Sequence, residues 1–385
     1  MTMTEQEFAV AAERSRALAP RDEADLAEIL RAQRGPFEVL GGGSKRSIGR
    51  PQRGAPLELA ALTGVVDYEP AELVLTARAA TPLGEIERLL AERRQRLAFE
   101  PPRYAALLGS AAEPTIGGVC ASNVSGSRRL AAGAARDHLL GLRAVNGRGE
   151  RFAAGGRVVK NVTGYDLPKL LAGSWGTLAV LSEVTLRVVP AAETECTLVV
   201  AVRSLEEGMT VLAAALGSAC EVSAAAYLPE RGALLRVEGF AASVRARAER
   251  LRALLPAADV ELLADEASQQ LWRAVAAAEP LAEWPIVWRI SVPSADAARI
   301  VAALEPERFL LDWGGGLIWA AYRTAAVETV RSAAVPGHAT LIKAPPEVRA
   351  TAAVFPPQPA ALRAVAERVK AAFDPDGKLN PGRMD

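Results

Sequence analysis

The chain has 385 residues with 45 basic and 45 acidic side chains and two histidines, so its formal net charge at pH 7 is zero. That length exceeds one ordinary core and implies two or three domains, and the even charge balance argues against a nucleic-acid partner, which needs a basic face. Only six of the 45 cations are lysine, so an isolated arginine is read as solvated surface unless something else argues for it.

The opening MTMTEQEF is acidic and lacks a positive n-region before an apolar core, so no secretory signal is expected. No uncharged apolar run reaches the ~18 residues of a membrane span. The longest, Leu170–Ser182, is interrupted by glycine and serine. Cys120, Cys196 and Cys220 are far apart and form no CxxC pair, and three thiols cannot hold a usual four-ligand iron–sulfur cluster. The expectation is a reduced, cytoplasmic chain with no metal site, soluble or at most peripheral on a membrane.

In chain order, Glu5–Ala17 and Asp22–Arg34 read as amphipathic helices, the second opened by Pro20, Arg21 and Asp22. Phe37–Leu40 is a short apolar strand. Leu57–Leu59 and Leu73–Ala77 are strands, and Pro82–Gln95 is a helix with Leu83, Ile86, Leu89 and Leu90 on one face. Arg128 and Arg129 fall in a mobile or ligand-covering loop between Gly126 and Gly133. Strands Leu139–Asn146 and Gly149–Phe152 meet at a Gly147-Arg148-Gly149 turn. Asp166–Ala172 is a short helix, Leu181–Val189 a strand, and Pro190 closes the first domain.

Regular alternation follows. Strands are expected at Cys196–Val202, Val222–Leu228, Leu234–Gly239, Ile286–Pro293, Phe309–Trp313 and Gly316–Tyr322. Helices are expected at Ser204–Gly217, Ala241–Leu255, Ala267–Ala278, Ala295–Leu304 and Ala325–Ala334. An antiparallel sheet with helices on one side fits this pattern. The proline-rich Ala344–Pro359 reads as a linker, followed by a helix, Ala360–Phe373, and the tail DPDGKLNPGRMD.

Three glycine-rich segments carry the chemistry. FEVLGGGSKRSIG (Phe37–Gly49) sets three glycines, a hydroxyl and two cations directly after a strand. Glycine tolerates positive φ, so such a run can turn successive N–H groups into an anion nest, with Ser44 donating and Lys45 or Arg46 supplying charge. PTIGGVCASNVSG (Pro114–Gly126) mixes small residues with short polar ones, which lets backbone approach a ligand closely. The third, Val158–Pro190, contains tight backbone at Gly176–Val180. Neither GxGxxG after a strand nor GxxxxGK[ST] occurs, so Rossmann and Walker sites have no support.

Together, LGGGSKRSIG, PTIGGVCASNVSG and KNVTGYDLPKLLAGSWGTLAVLSEVTLRVVP resemble the FAD-binding domain of the vanillyl-alcohol oxidase and p-cresol methylhydroxylase (PCMH) superfamily. The tail FDPDGKLNPGR is similar to that of its 2-hydroxy acid dehydrogenases. KNVTGYDLPKLLAGSWGTL and LLDWGGG look most like the glycolate oxidase FAD-binding E-subunit family. The resemblance implies an α+β fold: a PCMH-type domain of two subdomains (1–190), an α+β ferredoxin-like cap (191–343), and a linker with a C-terminal helix and tail returning to the first domain (344–385). It implies FAD with its diphosphate on Gly41, Gly42, Gly43, Ser44 and Lys45. Thr115, Gly117, Gly118, Ala121, Ser122, Asn123 and Gly126 would line its middle, and Gly176, Thr177, Val180 and Leu181 would flank adenine and ribose. Relatives that attach FAD covalently use a histidine beside the glycine loop. Lys45–Gly49 has none, so FAD is expected to be non-covalent.

Oxidising a 2-hydroxy acid also needs a base and a cation for the carboxylate. Catalytic relatives carry a metal-binding histidine cluster in the cap, where this chain has LLDWGGGLIWA. His138 reads as structural and His338 as an exposed turn residue. In IVWRISV, Ile286, Trp288, Ile290 and Val292 share one strand face and Val287, Arg289 and Ser291 the other. If the first face meets the cap helices, Arg289 points toward the flavin as the carboxylate ligand, with Arg323 as a second candidate. Asp312 and Trp313 form either a cofactor-facing bend or a tight hairpin, and Asn380 either returns to the flavin or ends a simple turn.

The first functional expectation is a flavin-bearing subunit of a multi-subunit glycolate dehydrogenase. Its partners would be a larger FAD-containing catalytic subunit of the same superfamily and an iron–sulfur subunit. The others are a self-sufficient 2-hydroxy acid dehydrogenase and a scaffold with a vestigial flavin site. Trp272, Trp284 and Trp319 are either cap core or part of a subunit contact.

Overall fold

The computed structural model describes residues 17–156, 164–255, 259–325 and 327–385. The helix expected at Glu5–Ala17 lies almost wholly outside them, as do residues 158–163 of the third glycine-rich segment.

Asp22 is extended, and its carboxylate accepts from the N–H groups of Ala24 and Asp25 at 2.9 and 2.8 Å. That cap starts the helix Glu23–Ala32, which buries Leu26, Ala27 and Leu30. Strand β1 (Phe37–Leu40) then pairs in parallel with β2 (Ala55–Glu58). Strands β3 (Val65–Glu69) and β4 (Val74–Arg78) follow, then the helix Leu83–Glu92 and the two-residue strand β5 (Gln95–Arg96). With β6 (Leu139–Asn146), β7 (Arg151–Gly155) and β8 (Ala179–Arg187) they make an antiparallel sheet in the order β3-β4-β8-β6-β7. β5 pairs separately with β9 (Val189–Pro190). The sequence pattern did not give β3, whose residues are half-buried or exposed and carry no apolar alternation.

The second part is an eight-stranded antiparallel sheet. Its strands are β10 (Thr194–Val200), β11 (Ala224–Leu228), β12 (Gly232–Gly239), β13 (Val260–Ala264), β14 (Ile286–Ser291), β15 (Arg308–Asp312), β16 (Leu317–Tyr322) and β17 (His338–Lys343), in the order β13-β10-β12-β11-β15-β16-β14-β17. Both edge strands fall where the sequence pattern gave no element; β13 is half-exposed and only pairing with β10 makes it a strand.

The expectation of helices on one face holds for four of them: residues from 205–216, 241–254, 297–304 and 327–333 share a core with Trp288, Ile290 and Ile318. The helix Asp265–Ala276 departs from it. Its Trp272 and Val275 pack on the opposite face with Tyr104, Leu107 and Ile48 of the first part. That second face is therefore the junction between the two halves. Trp319 and Trp272 are buried there, so they are core rather than a free contact surface; Trp284 is half-buried beneath Arg323, 5.1 Å away.

Residues 344–359 are packed rather than a free linker. They contain the helix Pro346–Thr351, since a proline in the first turn has no needed N–H to lose. Val354 is buried, and Phe355 sits edge-on to Trp175 at 5.4 Å. The final helix, Ala360–Phe373, buries no residue fully.

Candidate cofactor site

The turn after β1 needs its glycines for three different reasons. A Cβ on Gly41 would fall 2.5 Å from Thr115 Oγ1, and one on Gly42 would overlap the carbonyl oxygen of Glu113. Gly43 has φ +77°, and a Cβ there would meet nothing within 4 Å, so it faces open space. The first two glycines thus admit the second glycine-rich segment against the loop, and the third turns the chain. That segment is the helix Ile116–Ser122, capped by Thr115, whose Oγ1 accepts from Gly118 N at 3.3 Å. Gly117 lies against Ala79, where a Cβ would come within 2.5 Å of the alanine Cβ. Ser122 Oγ donates to Gly118 O at 2.6 Å.

A groove results, lined by Gly41, Gly42, Gly43, Ser44, Lys45, Thr115, Gly117, Gly118, Ala121, Ser122, Gly176 and Leu181. Four other residues expected here stand outside its lining. Asn123 caps the helix end at φ +50° and accepts from Arg136 N at 3.0 Å; Gly126 packs under Glu100. Thr177 Oγ1 donates to Ser174 O at 2.6 Å, and the Val180 side chain is buried in the core beside β1.

Of the two cations in the loop, the structure neutralises one. Arg46 donates to both oxygens of buried Glu38, at 2.8 and 2.6 Å. Lys45 Nζ has no such partner among the described residues. The side chain is nearly buried, and that burial, with the neighbouring charge of Arg383, pulls its pKa down to about 8. Arg383 is also buried and drawn down to about 10 by desolvation; its Nη2 donates to Lys45 O at 3.0 Å, while its Nε is unpartnered.

Arg383 was not among the expected site residues; its signal in the sequence is the one cation of LNPGR. Tail geometry explains its position. Asp374 is buried and accepts from Lys378 N at 3.0 Å and Leu379 N at 2.8 Å. Phe37 N donates to Lys378 O and Asn380 N to Phe37 O, so the tail adds to β1 as a short parallel strand. Asn380 Oδ1 then accepts from Val39 N and its Nδ2 donates to Trp175 O, both at 2.8 Å. Asn380 and Arg383 thereby join the groove lining, so Asn380 does more than end a turn.

At the junction, by contrast, arginines meet acids. Arg236, 2% exposed, donates to Glu100 at 3.1 and 2.8 Å. Buried Glu238 takes Arg96 at 2.9 Å and Arg128 at 2.8 Å. Arg128 is thus held by this ion pair, and Arg129–Ala132 is a short helix rather than a loose loop.

The strand partition around Arg289 is as the alternation implied: Ile286, Trp288, Ile290 and Val292 belong to the helix-side core and Val287 to the junction face. Arg289 therefore faces the first part, its guanidinium carbon 4.8 Å from the Trp313 ring centroid. Arg323 instead pairs with Glu307 at the surface, at 3.3 Å. Asp312 accepts from Ser127 Oγ and Trp313 N, both at 2.7 Å, so its bend faces the second glycine-rich segment; burial raises its carboxyl to about 6. His138 is buried, with Nε2 2.7 Å from Ala132 O. His338 is exposed at the start of β17 rather than in a turn. Neither lines the groove. The three cysteines are free, and no cluster of potential metal ligands occurs among the described residues.

This donor set suits a diphosphate: two poorly compensated buried cations beside a glycine turn that opens onto free space. The comparisons agree with the geometry. The FAD binding domain family matches residues 15–155. A solved structure of alkyldihydroxyacetonephosphate synthase superposes with TM-score 0.69 at 14% identity, covering 95% of this chain and 75% of that one, which shows the shared α+β fold. Glycolate oxidase subunit GlcD of Bacillus subtilis (strain 168) is 34% identical over 133 residues, 33% of this chain and 27% of that protein. Glycolate oxidase subunit GlcE of Escherichia coli (strain K12) is 35% identical over 352 residues, 91% of this chain and 92% of that protein. The chain belongs to the family of glycolate oxidase subunit GlcE, with an FAD binding domain in its first half.

Proposed function

We propose that this chain is the FAD-holding subunit of a multi-subunit glycolate dehydrogenase and does not turn over substrate by itself. The observation that carries the reading is the groove at Gly43, where Lys45 and Arg383 make no ion pair among the described residues. Bound FAD would supply a redox carrier for electrons passing from the catalytic sibling toward the iron–sulfur subunit. Gly41, Gly42, Gly43 and Ser44 shape the diphosphate cradle, and Lys45 and Arg383 neutralise its charge. The segments Thr115–Gly126 and Gly176–Leu181 hold the remainder. Retention is non-covalent, because Lys45–Gly49 offers no histidine to a flavin. Arg289 meets the substrate carboxylate.

The reading assigns catalysis to a larger FAD-containing sibling, since neither histidine of this chain reaches the groove and a positioned base contributes ~10²–10⁴-fold in rate. An iron–sulfur subunit takes the electrons onward. The same reading divides the chain at residues 190 and 343 into flavin domain, cap and returning tail. It places the assembly in the cytoplasm or on the inner face of the plasma membrane; no described helix is long and apolar enough to cross one.

Purification of the lone chain tests this. The expected product is yellow, releases FAD on acid precipitation and reduces an artificial acceptor with glycolate at no enzymatic rate. Full activity would favour a self-sufficient dehydrogenase, and a colourless chain that cannot be reloaded would mean a vestigial site. A tag on this chain should retrieve a second flavoprotein and iron. A clean iron-free monomer from native extract would count against the assembly.

A further inference from the structure

Outside the groove, one group of cations makes no ion pair among the described residues, with Asp312 near Arg289 and Asp137 near Arg129 acting only at a distance. Arg129, on the short helix of the first part, stands with its guanidinium carbon 4.8 Å from the Trp313 ring centroid, the same distance as Arg289 of β14. Both side chains are half-buried, and neither makes a hydrogen bond or ion pair among the described residues. Asp312, the buried carboxylate in the field of Arg289, is already bonded to Ser127 and to the backbone of Trp313. Trp313 is itself fixed, its Nε1 donating to Gly126 O at 3.1 Å. His338 pairs opposite Ser291, on the strand face that carries Arg289 and, across from it, Thr340. Desolvation and then the charges of Arg289 and Arg129 push the His338 imidazole below its ordinary value, which puts it within their field.

Two guanidinium groups beside one aromatic ring repel each other, and a ring face compensates a half-buried cation less than an anion does. A carboxylate matches the guanidinium fork with paired N–H donors, as Glu100 and Glu238 do for Arg236, Arg96 and Arg128 at the junction. We propose that Arg129 and Arg289, with the Trp313 ring as floor, bind a small 2-hydroxy or 2-oxo carboxylate that bridges the two halves of the chain. This rests on the reading above for its ligand class and adds Arg129, from the flavin-binding half, to the single arginine assigned there. It makes ligand retention a property of both halves.

Isothermal titration of the purified full chain with sodium glycolate, and in parallel with inorganic phosphate, tests the proposal. FAD binding is followed separately by flavin fluorescence. Saturable glycolate binding is expected, weakened at least tenfold in Arg129→Gln and again in Arg289→Gln, partly restored in Arg129→Lys, and weaker for phosphate than for glycolate. Tryptophan emission should change on glycolate addition, and Trp313→Phe should remove that change while keeping the heat. Glycolate binding that is absent, indifferent to both arginine variants, or matched by phosphate would overturn it. Loss of FAD binding with glycolate binding intact would instead defeat only the cofactor reading, and FAD retention by the glutamine variants confirms that they fold.

Discussion

The groove and the junction between the two sheets both bury cations, yet they treat them in opposite ways. At the junction Arg236, Arg96 and Arg128 are matched by Glu100 and Glu238 at ion-pair distance. In the groove Arg46 is matched by Glu38, while Lys45 and Arg383 make no ion pair among the described residues, Arg383 having only the more distant charge of Glu38 and the Trp175 ring. Burying a charge is expensive unless it is paired. A compensated set therefore holds the fold together, and an uncompensated set is a place where something anionic belongs. The same criterion separates Arg128 from its neighbour Arg129, one paired with Glu238 and the other set beside an aromatic ring without an ion pair among the described residues.

The largest expected effect lies on the compensated side. Arg236→Leu leaves Glu100 without its ion-pair partner, and should lower unfolding stability by about 3–5 kcal/mol. Urea unfolding of the purified chain measures it. A loss below about 1 kcal/mol would mean that the junction network is incidental and would blur the contrast.

Next is the cradle itself. Gly42→Val drives a side chain into the Glu113 carbonyl, so the second glycine-rich segment must retreat from the loop. We expect almost complete loss of FAD from the purified protein, with about 1–3 kcal/mol of overpacking cost and the eight-stranded sheet still folded. The ratio of flavin to protein absorbance reads the first, and far-UV circular dichroism the second. A fully yellow variant would contradict the placement of the diphosphate.

Lys45→Met should then show the signature of an uncompensated charge. FAD affinity falls by about 1.5–3 kcal/mol, the range for a hydrogen bond to a charged group, which is roughly ten- to hundredfold. Stability of the unloaded chain stays level or rises, because a buried ammonium is removed. Stability falling together with affinity would place Lys45 with the structural cations instead.

The smallest effect is in pH. Lys45 in the folded, unloaded chain sits at about 8, below its ordinary value of ~10.4. Between those values the unfolded chain binds more protons, so this lysine makes stability rise with pH across that window. A bound diphosphate favours the protonated form, so FAD affinity should run the other way, falling above pH ~8 by at most about tenfold per pH unit. Fluorimetric titrations from pH 7 to 9.5 would show it, and the slope should vanish in Lys45→Met. A slope that persists there assigns the proton elsewhere.

Much of the architecture was legible because local pattern and tertiary context agreed. The helix Leu83–Glu92 buries Leu83, Ile86 and Leu90, as its spacing implied, and Ala360–Phe373 matches its expected bounds. What escaped were elements whose reason is non-local: β3, β13 and β17 exist because a neighbouring strand pairs with them. Proline density suggests a linker at 344–359, but Pro346 occupies the first turn of a helix, where its missing N–H costs nothing.

The site divides along the same line. The sequence by itself determined that the glycine run after β1, with its hydroxyl and cations, is able to turn into an anion nest, because glycine's freedom at positive φ and its missing Cβ are properties of the residue. It also determined which face of IVWRISV Arg289 occupies, because alternation along a strand is local. Only the tertiary structure decided that Arg46 is neutralised while Lys45 is not, that a tail more than 300 residues away delivers Asn380 and Arg383 into the groove, and that Arg129 and Arg289 share one tryptophan. Whether a charge is compensated depends on what lies within a few ångströms of it, and distance in space is not written in distance along the chain.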